Sequence, residues 1–196
     1  MKNYLRSVKK HIAAIKTLKN INEEKLIQLK NFLKSDGQLF VTGVGKNADL
    51  MYKLGKTMNS VSIRSFFIDP VNACHGDFGM MKDGCKILAS SKSGKTEELV
   101  NFLRHVKNVH KKTKIFLIHC NDNLEENYYD YDIFLDIKEE ADHLNMIPTA
   151  SLVAIEVLVH GVVCEVIHNN NFSIDKLLIN HPAGNIGKIC LNQIQK

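Results

Sequence analysis

The chain has 196 residues and a formal net charge of +5 at neutral pH, with 44% hydrophobic and 24% charged residues. This composition is ordinary for a soluble globular protein, and the length fits one compact domain with a proper core. The lysines are scattered rather than striped, which argues against a nucleic-acid-binding face and indicates only mild attraction for anionic metabolites. No signal peptide is visible, and five cysteines without a Cys-x-x-Cys pair are typical of a reducing cytosol. We therefore expect a cytoplasmic protein.

The first 35 residues predict one or two helices. Apolar residues recur at helical spacing from Tyr4 to Ile15, and Asn22 can cap a second helix that turns Leu26 and Phe32 inward. Ser35-Asp36-Gly37 ends this region.

Short apolar runs then alternate with helical patterns, which predicts an α/β fold. Because such strands are typical of a parallel sheet covered on both faces, we expect a three-layer α/β/α sandwich over residues 38–187. The five predicted strands cover residues 39–41, 63–68, 85–89, 114–119 and 131–137.

The region after residue 138 predicts a long helix from Ala150 to Ile167, a shorter helix over 174–178, and a polar tail without regular structure. The long helix contains Glu156, His160 and Glu165. These residues predict that it is too polar to span a bilayer and is a core or interface helix instead. No membrane partner is expected.

A serine-rich segment follows the third predicted strand and leads into a helix. Such a segment presents unpaired backbone N–H groups at the positive end of a helix dipole, and both favour a bound anion. It lacks the glycine spacing of the Walker and dinucleotide motifs, so a terminal phosphomonoester is the better interpretation, although an ordinary capped loop has the same pattern. The hydroxyl donors of this segment, here called the phosphate loop (residues 90–96), are Ser90, Ser91, Ser93 and Thr96.

Two further motifs fall at the carboxyl ends of predicted strands, where ligands bind in open α/β sheets. Lys46 follows Gly43-Val44-Gly45 at a helix start, where it can bind a phosphate or neutralise an anionic intermediate, or simply face solvent. His75 lies in His75-Gly76-Asp77 after the second strand. We interpret it as a polar ligand contact rather than a metal ligand, because Cys74, His75 and Asp77 are too close in sequence for ordinary ligand spacing.

Candidates for acid–base chemistry are Glu98 and Glu140, at two loop–helix junctions, and His181 in the tail. Acid–base catalysis needs a partly desolvated group with a pKa moved towards neutrality. Residue type alone does not separate these from solvated acids or an incidental histidine.

Taken in order, the motifs resemble those of the sugar isomerase (SIS) domain family and, within it, the D-arabinose-5-phosphate isomerases. The resemblance covers residues 43–187. The matching segments are Gly43–Lys46, His75–Met80, Ser91–Gly94 with Glu98, Glu140–Thr149 and His181–Gly187. The chain departs from the family at Lys92 and Lys95, which replace the usual Asn and Glu, and at Ala183, which replaces a Gly. We expect a single SIS domain without the paired CBS domains that follow it in many members.

The resemblance implies a flavodoxin-like fold and aldose–ketose isomerisation between D-arabinose 5-phosphate and D-ribulose 5-phosphate through a cis-enediol, which supplies Kdo biosynthesis. It implies no metal and no organic cofactor. It places the substrate against Gly45 and His75, with the phosphate on Ser90, Ser91, Ser93 and Thr96. Glu140 is then expected to be the base, His181 to move hydroxyl protons or open the sugar, Lys46 to stabilise the enediolate, and Glu98 to orient the sugar hydroxyls.

The resemblance also implies a homo-oligomer, a dimer or tetramer, with sites near subunit boundaries. Two alternatives keep the fold. One is another phosphosugar isomerase such as 6-phospho-3-hexuloisomerase, and the other is a non-catalytic module that binds a sugar phosphate as a regulatory signal. The full set of Lys46, Glu98, Glu140 and His181 favours an enzyme, since a binding module does not need all four.

Overall fold

The computed structural model describes residues 1–124 and 127–195. Its centre is a five-stranded parallel sheet in the order β2-β1-β3-β4-β5, which confirms the predicted α/β fold. The strands are β1 (Leu39–Thr42), β2 (Ser65–Phe67), β3 (Lys86–Ser91), β4 (Lys114–His119) and β5 (Tyr131–Phe134). The α-helices are α1 (Lys2–Thr17), α2 (Glu23–Lys34), α3 (Lys46–Ser60), α4 (Pro70–Ala73), α5 (Glu97–Val109), α6 (Ala150–Asn169), α7 (Ile174–Asn180) and α8 (Gly184–Ile194), with 3-10 helices at Leu18–Asn20 and Asp77–Met80.

The strand order places a topological switch point between β1 and β3, and the region beyond the carboxyl ends of these two strands is here called the crevice. β1 pairs with β2 on one side and with β3 on the other, so the chain leaves the two central strands in opposite directions. At such a switch point the loops that follow the strands diverge and leave room for a ligand. Here these are the loop after β1 and the phosphate loop after β3.

Two buried apolar clusters cover the two faces of the sheet. One contains residues of α1, α2, α3 and α6, and the other contains residues of α4 and α5. The predicted cap of α2 is present, because the side chain of Asn22 accepts a hydrogen bond from the backbone N–H of Glu24 at 2.8 Å. The N-terminal helices therefore belong to the core of the sheet domain.

Helix α6 corrects one expectation. By length and mean hydropathy it is apolar enough to cross a membrane, despite Glu156 and Glu165 within it. In the fold, half of it is buried, and it lies against α1, α2 and α3. Its apolar character therefore matches the packing of a core helix.

The tail after residue 181 also differs from the prediction. It forms α8, an eleven-residue helix that packs against α7. Ile186, Cys190 and Ile194 recur every fourth residue, and Cys190 is buried. This spacing is a helical signal that the His-Pro-Ala-Gly segment before it obscured.

Four strands differ from their predicted bounds. β1 extends one residue further than predicted, to Thr42. β3 extends through Ser90 and Ser91, so these serines belong to the strand rather than to the loop. β2 and β5 are shorter than predicted, because the buried apolar residues beside them, such as Ile63 and Ile137, lie outside the hydrogen-bonded ladder.

Candidate active site

The loop after β1 brings Lys46 to the crevice through a tight turn. Gly45 has a φ of +58°, and a Cβ on Gly43 would lie 2.9 Å from the backbone carbonyl carbon of Asn47. Both positions therefore favour glycine. α3 begins at Lys46, whose side chain is exposed at the positive end of the helix dipole.

The phosphate loop is joined to the loop after β1 by one hydrogen bond. Ser90 Oγ donates to Asn47 Oδ1 at 3.1 Å, and Ser90 is fully buried. This contact brings the start of α3 and the end of β3 together, as expected for neighbouring strands of a parallel sheet. The sequence analysis did not identify Asn47 as a site residue, although its position directly after Lys46 is a signal that could have found it.

Within the phosphate loop, hydroxyl and backbone groups gather at the start of α5. Ser91 Oγ accepts a hydrogen bond from the N–H of Gly94 at 3.1 Å and lies 3.3 Å from Thr96 Oγ1. Ser93 Oγ accepts from the N–H of Lys95 at 3.1 Å. Thr96 is the N-cap residue of α5. The predicted phosphate donors therefore lie together at a helix N-terminus.

Glu98 lies in the first turn of α5 and its side chain is exposed. A carboxylate at this position is favoured by the helix dipole. It is open to solvent on the edge of the sheet that carries Lys46.

Glu140 lies in a different environment, fully buried behind the phosphate loop. Its Oε2 accepts hydrogen bonds from the N–H of Thr149 at 2.9 Å and the N–H of Ser151 at 3.2 Å, both at the start of α6. Its Oε1 accepts from Ser151 Oγ at 2.5 Å and lies 3.0 Å from Lys92 Nζ. Thr149 Oγ1 donates a further bond at 3.2 Å. Lys92 thus ties the phosphate loop to the start of α6.

These contacts keep Glu140 ionised. Burial alone would raise the pKa of the carboxyl group, but hydrogen bonds from Ser151 and Thr149 and the Lys92 ammonium lower the pKa of Glu140 to about 2. A carboxylate with so low a pKa is a weak proton acceptor at neutral pH. The geometry therefore does not favour the expected role of Glu140 as the base, which stays a prediction.

Lys10 of α1 also holds the backbone at Glu140 in position. Lys10 Nζ donates to the backbone carbonyl of Glu140 at 2.8 Å and forms an ion pair with Glu139 at 3.1 Å. Cys120 lies beside the pair, and burial followed by the negative charge of Glu140 raises the pKa of its thiol to about 12. Cys120 is therefore a protonated thiol at neutral pH.

His75 lies at the same edge of the sheet, after β2 and α4, with an exposed side chain. The 3-10 helix that follows it is held by Phe78, whose ring stacks on that of Phe102 in α5 at 5.4 Å. Among residues 1–124 and 127–195, no group of three or more His, Cys, Asp and Glu side chains is placed to hold a metal ion.

His181 lies at the other end of the molecule. The preceding residue, Asn180, donates from its side chain to the carbonyl of Ser60 at 3.0 Å and to Ser62 Oγ at 2.9 Å. Ser60 ends α3, a 15-residue helix that begins at Lys46. A helix of that length spans about 20 Å, so one chain does not bring His181 to Lys46.

The turn at His181 is defined by close packing. A Cβ on Gly187 would lie 2.5 Å from the carbonyl oxygen of His181, so only glycine lets α8 approach this turn. His181 Nδ1 lies 3.1 Å from the carbonyl oxygen of Leu177. The tail motif, residues 181–187, therefore has a defined conformation within one chain.

No protein-family model matches the chain. It is 34% identical over 163 residues to an uncharacterised Helicobacter pylori protein, covering 82% of this chain and 49% of that protein. It is 30% identical over 166 residues to the Pseudomonas aeruginosa arabinose 5-phosphate isomerase KdsD, covering 83% and 50%. The chain thus spans about half the length of the curated relatives it matches.

A solved structure extends this likeness to the fold. An Escherichia coli CFT073 protein in complex with arabinose 5-phosphate superposes with a TM-score of 0.84 at 23% identity, over 91% of this chain and 95% of that chain. Three findings agree on the family: the sequence relatives, the fold, and the motifs at residues 43–46, 75–80 and 181–187. The chain belongs to the SIS family of sugar-phosphate isomerases, to which KdsD also belongs.

Proposed function

We propose that the protein is an isomerase that interconverts D-arabinose 5-phosphate and D-ribulose 5-phosphate through a cis-enediol. The observation that carries this proposal is the crevice between β1 and β3, where Lys46, the phosphate loop and Glu98 share one edge of the sheet. The likeness to KdsD, and to a fold solved with arabinose 5-phosphate, supports the choice of sugar. We further propose that this reaction supplies Kdo biosynthesis in the cytoplasm.

The phosphate of the sugar binds at the start of α5. Ser91, Ser93 and Thr96 supply hydroxyl groups there, and the helix dipole favours the dianion. Ser90 fixes the neighbouring loop through Asn47, so that Gly45 and Lys46 face the sugar. His75 closes the pocket beyond β1.

The isomerisation requires a proton to leave the carbon beside the carbonyl while negative charge develops on the carbonyl oxygen. The Lys46 ammonium stabilises that charge. Of the two carboxylates, Glu98 is exposed and available to exchange protons with the sugar, whereas the carboxylate of Glu140 is buried and fully hydrogen-bonded. In this proposal Glu98 transfers the proton, and Glu140 holds the phosphate loop in position through its ion pair with Lys92.

His181 enters the site from a second copy of the chain. It lies at the end of α3 opposite Lys46, so a site that contains both residues needs two subunits. This supports a homo-oligomer, a dimer or tetramer. There His181 moves protons between the sugar hydroxyls or opens the ring.

Two observations favour the alternative of a non-catalytic sugar-phosphate-binding module. Glu140, the expected base, is ionised and enclosed, and one chain holds no histidine beside Lys46 at the position of the tail motif. A module that only binds phosphosugars needs neither group.

The test is the turnover of D-arabinose 5-phosphate, glucose 6-phosphate and fructose 6-phosphate by the wild type and by Glu98→Gln. We expect turnover of the pentose phosphate and a loss of about 10²–10⁴ in kcat for Glu98→Gln, the usual effect of removing a positioned acid–base group. Glu97→Gln, in the same exposed turn, is the matched control. A normal rate in Glu98→Gln would show that Glu98 is not the base.

A mixing experiment tests the two-subunit site. Lys46→Met and His181→Ala are each expected to be inactive alone. If Lys46 and His181 come from different chains, mixing the two variants restores part of the activity, because some sites then contain both wild-type residues. Mixtures that stay inactive after subunit exchange would place both residues of a working site in one chain.

A further inference from the structure

The connection between β4 and β5 binds the phosphate loop from behind. Three consecutive carbonyl oxygens of the loop each accept a hydrogen bond from it. Cys120 N–H donates to the carbonyl of Lys92 at 2.9 Å, Asn121 Nδ2 to the carbonyl of Ser93 at 2.8 Å, and Tyr128 Oη to the carbonyl of Gly94 at 2.6 Å. The last two donors are side chains and are therefore set by the sequence.

These bonds determine which way the loop N–H groups point. In a trans peptide the carbonyl of one residue and the N–H of the next point in opposite directions, and the chain has no cis peptide bonds in its described residues 1–124 and 127–195. Turning the carbonyls of residues 92–94 towards the β4–β5 connection turns the N–H groups of residues 93–95 away from it. On that side the N–H groups of Gly94 and Lys95 donate to the hydroxyl oxygens of Ser91 and Ser93, so backbone amides and hydroxyl groups lie together there. Consecutive N–H groups aimed one way favour a bound anion, and the hydroxyl groups can pass their own protons to it.

His119 explains why the side chain of Asn121 makes this contact. The β3–β4 ladder ends with Ser91 opposite His119. The backbone N–H of Asn121 then donates to His119 Nδ1 at 3.3 Å rather than to the next loop carbonyl. His119 is buried, and its Nε2 lies 3.1 Å from Asp132 Oδ2, so Nε2 carries the proton and Nδ1 is free to accept.

We propose that Asn121 and Tyr128 are positioning residues for phosphate recognition, which orient the phosphate-loop N–H groups and are themselves held by the buried His119–Asp132 pair. The proposal rests on the proposed function only in taking the loop as the phosphate site. Neither side chain needs to touch the substrate. Their effect falls on affinity, because they order the loop before the ligand arrives.

The test uses Tyr128→Phe, which removes one donor, and Asn121→Ala, which removes one donor and also the acceptor of the Asn123 N–H. The probes are D-arabinose 5-phosphate and inorganic phosphate. Two controls are used. Tyr131→Phe removes a tyrosine hydroxyl at the start of β5, at the opposite edge of the sheet from the phosphate loop, and Asn123→Ala changes another asparagine in the β4–β5 connection. Dissociation constants come from calorimetric titration, and kcat and KM from the isomerase assay. Amide hydrogen exchange of Gly94 and Lys95 reports the order of the loop.

We expect Kd and KM to rise about three- to tenfold in both variants, the equivalent of one hydrogen bond, while kcat changes less than twofold. Exchange at Gly94 and Lys95 should accelerate in both variants, and the two controls should behave as wild type. A purely stabilising role would lower Tm and leave Kd unchanged, and this result would overturn the proposal.

The experiment separates this inference from the proposed function. Weaker phosphosugar binding in the variants of a protein that shows no turnover would support the positioning role and refute the isomerase. Normal turnover with unchanged KM in both variants would support the isomerase and refute the positioning role. A wild-type protein that binds neither probe would refute both.

Discussion

Two buried charges lie at opposite edges of the sheet and behave differently. At the amino edge, Lys86 Nζ donates to the carbonyls of Phe32 at 2.7 Å and Ser35 at 2.5 Å, which end α2. At the carboxyl edge, Glu140 accepts from the N–H groups that begin α6. Each charge complements the dipole of the helix it caps.

The difference lies in the compensation each charge receives. Burial lowers the pKa of Lys86 to about 8, and the charge of Asp36 opposes this only in part. Glu140 has an opposite charge at 3.0 Å as well as neutral donors, so burial is overcome and its pKa falls to about 2. A buried charge thus keeps its ionised state when a counter-charge and several hydrogen bonds act together. This firm anchor lies directly behind the phosphate loop.

The largest expected effect comes from Glu140→Ala. The substitution leaves the Lys92 ammonium and two N–H groups at the start of α6 without their acceptor, so we expect a loss of about 3–5 kcal/mol in the free energy of unfolding. Glu139→Ala is the control, because its carboxylate is exposed and its ion pair with Lys10 should contribute at most about 1 kcal/mol. Urea unfolding measures both, and equal losses would show that the buried contacts of Glu140 contribute no more to stability than the exposed ion pair of Glu139.

The acid dependence of stability sharpens the account of Glu140. Its folded pKa of about 2 lies below its ordinary value of 4.5, so its contribution is complete above pH 4.5 and is lost as the pH falls towards 2. The loss should amount to about 3 kcal/mol at most. Unfolding free energies of the wild type and Glu140→Gln between pH 2 and pH 7 check this. Parallel curves would contradict it.

Lys86→Met should have a smaller effect. Methionine removes the ammonium, which lies 5.5 Å from the centre of the Phe32 ring, and leaves the carbonyls at the end of α2 without a donor, at a cost of about 1–3 kcal/mol. Removal of a buried charge offsets part of that cost. Lys112→Met, at an exposed position, provides the comparison in the same denaturation series. A Lys86→Met protein as stable as the wild type would show that these carbonyls do not need the lysine.

The smallest effect is expected on the alkaline side. The folded pKa of Lys86 lies below its ordinary value of 10.5, so between about pH 8 and pH 10.5 the unfolded chain binds more protons than the folded chain. The contribution of Lys86 to stability therefore rises with pH across that window. Lys86→Met should lack this rise, which thermal unfolding at pH 8, 9 and 10 will measure. If the stability of Lys86→Met rises with pH as much as that of the wild type, the rise comes from another titrating group.

The sequence predicted the sheet and most of the crevice, because these depend on local patterns. Apolar runs located all five strands, and the glycine and serine segments placed Lys46 and the phosphate loop at one edge. The state of Glu140 was not predictable, since it depends on Lys92, Thr149 and Ser151, which only the fold brings together. The position of His181 depends in the same way on how α7 packs against the end of α3.

The most direct measurement of the central claim is NMR of the purified protein with D-arabinose 5-phosphate in deuterium oxide. The account predicts that ribulose 5-phosphate forms with solvent deuterium at the carbon beside its carbonyl. The base that removes the proton to form the enediol exchanges it with solvent and then returns a deuteron to the neighbouring carbon. If the sugar phosphate binds but neither product nor deuterium appears, the protein is a phosphosugar-binding module, and the isomerase assignment is wrong.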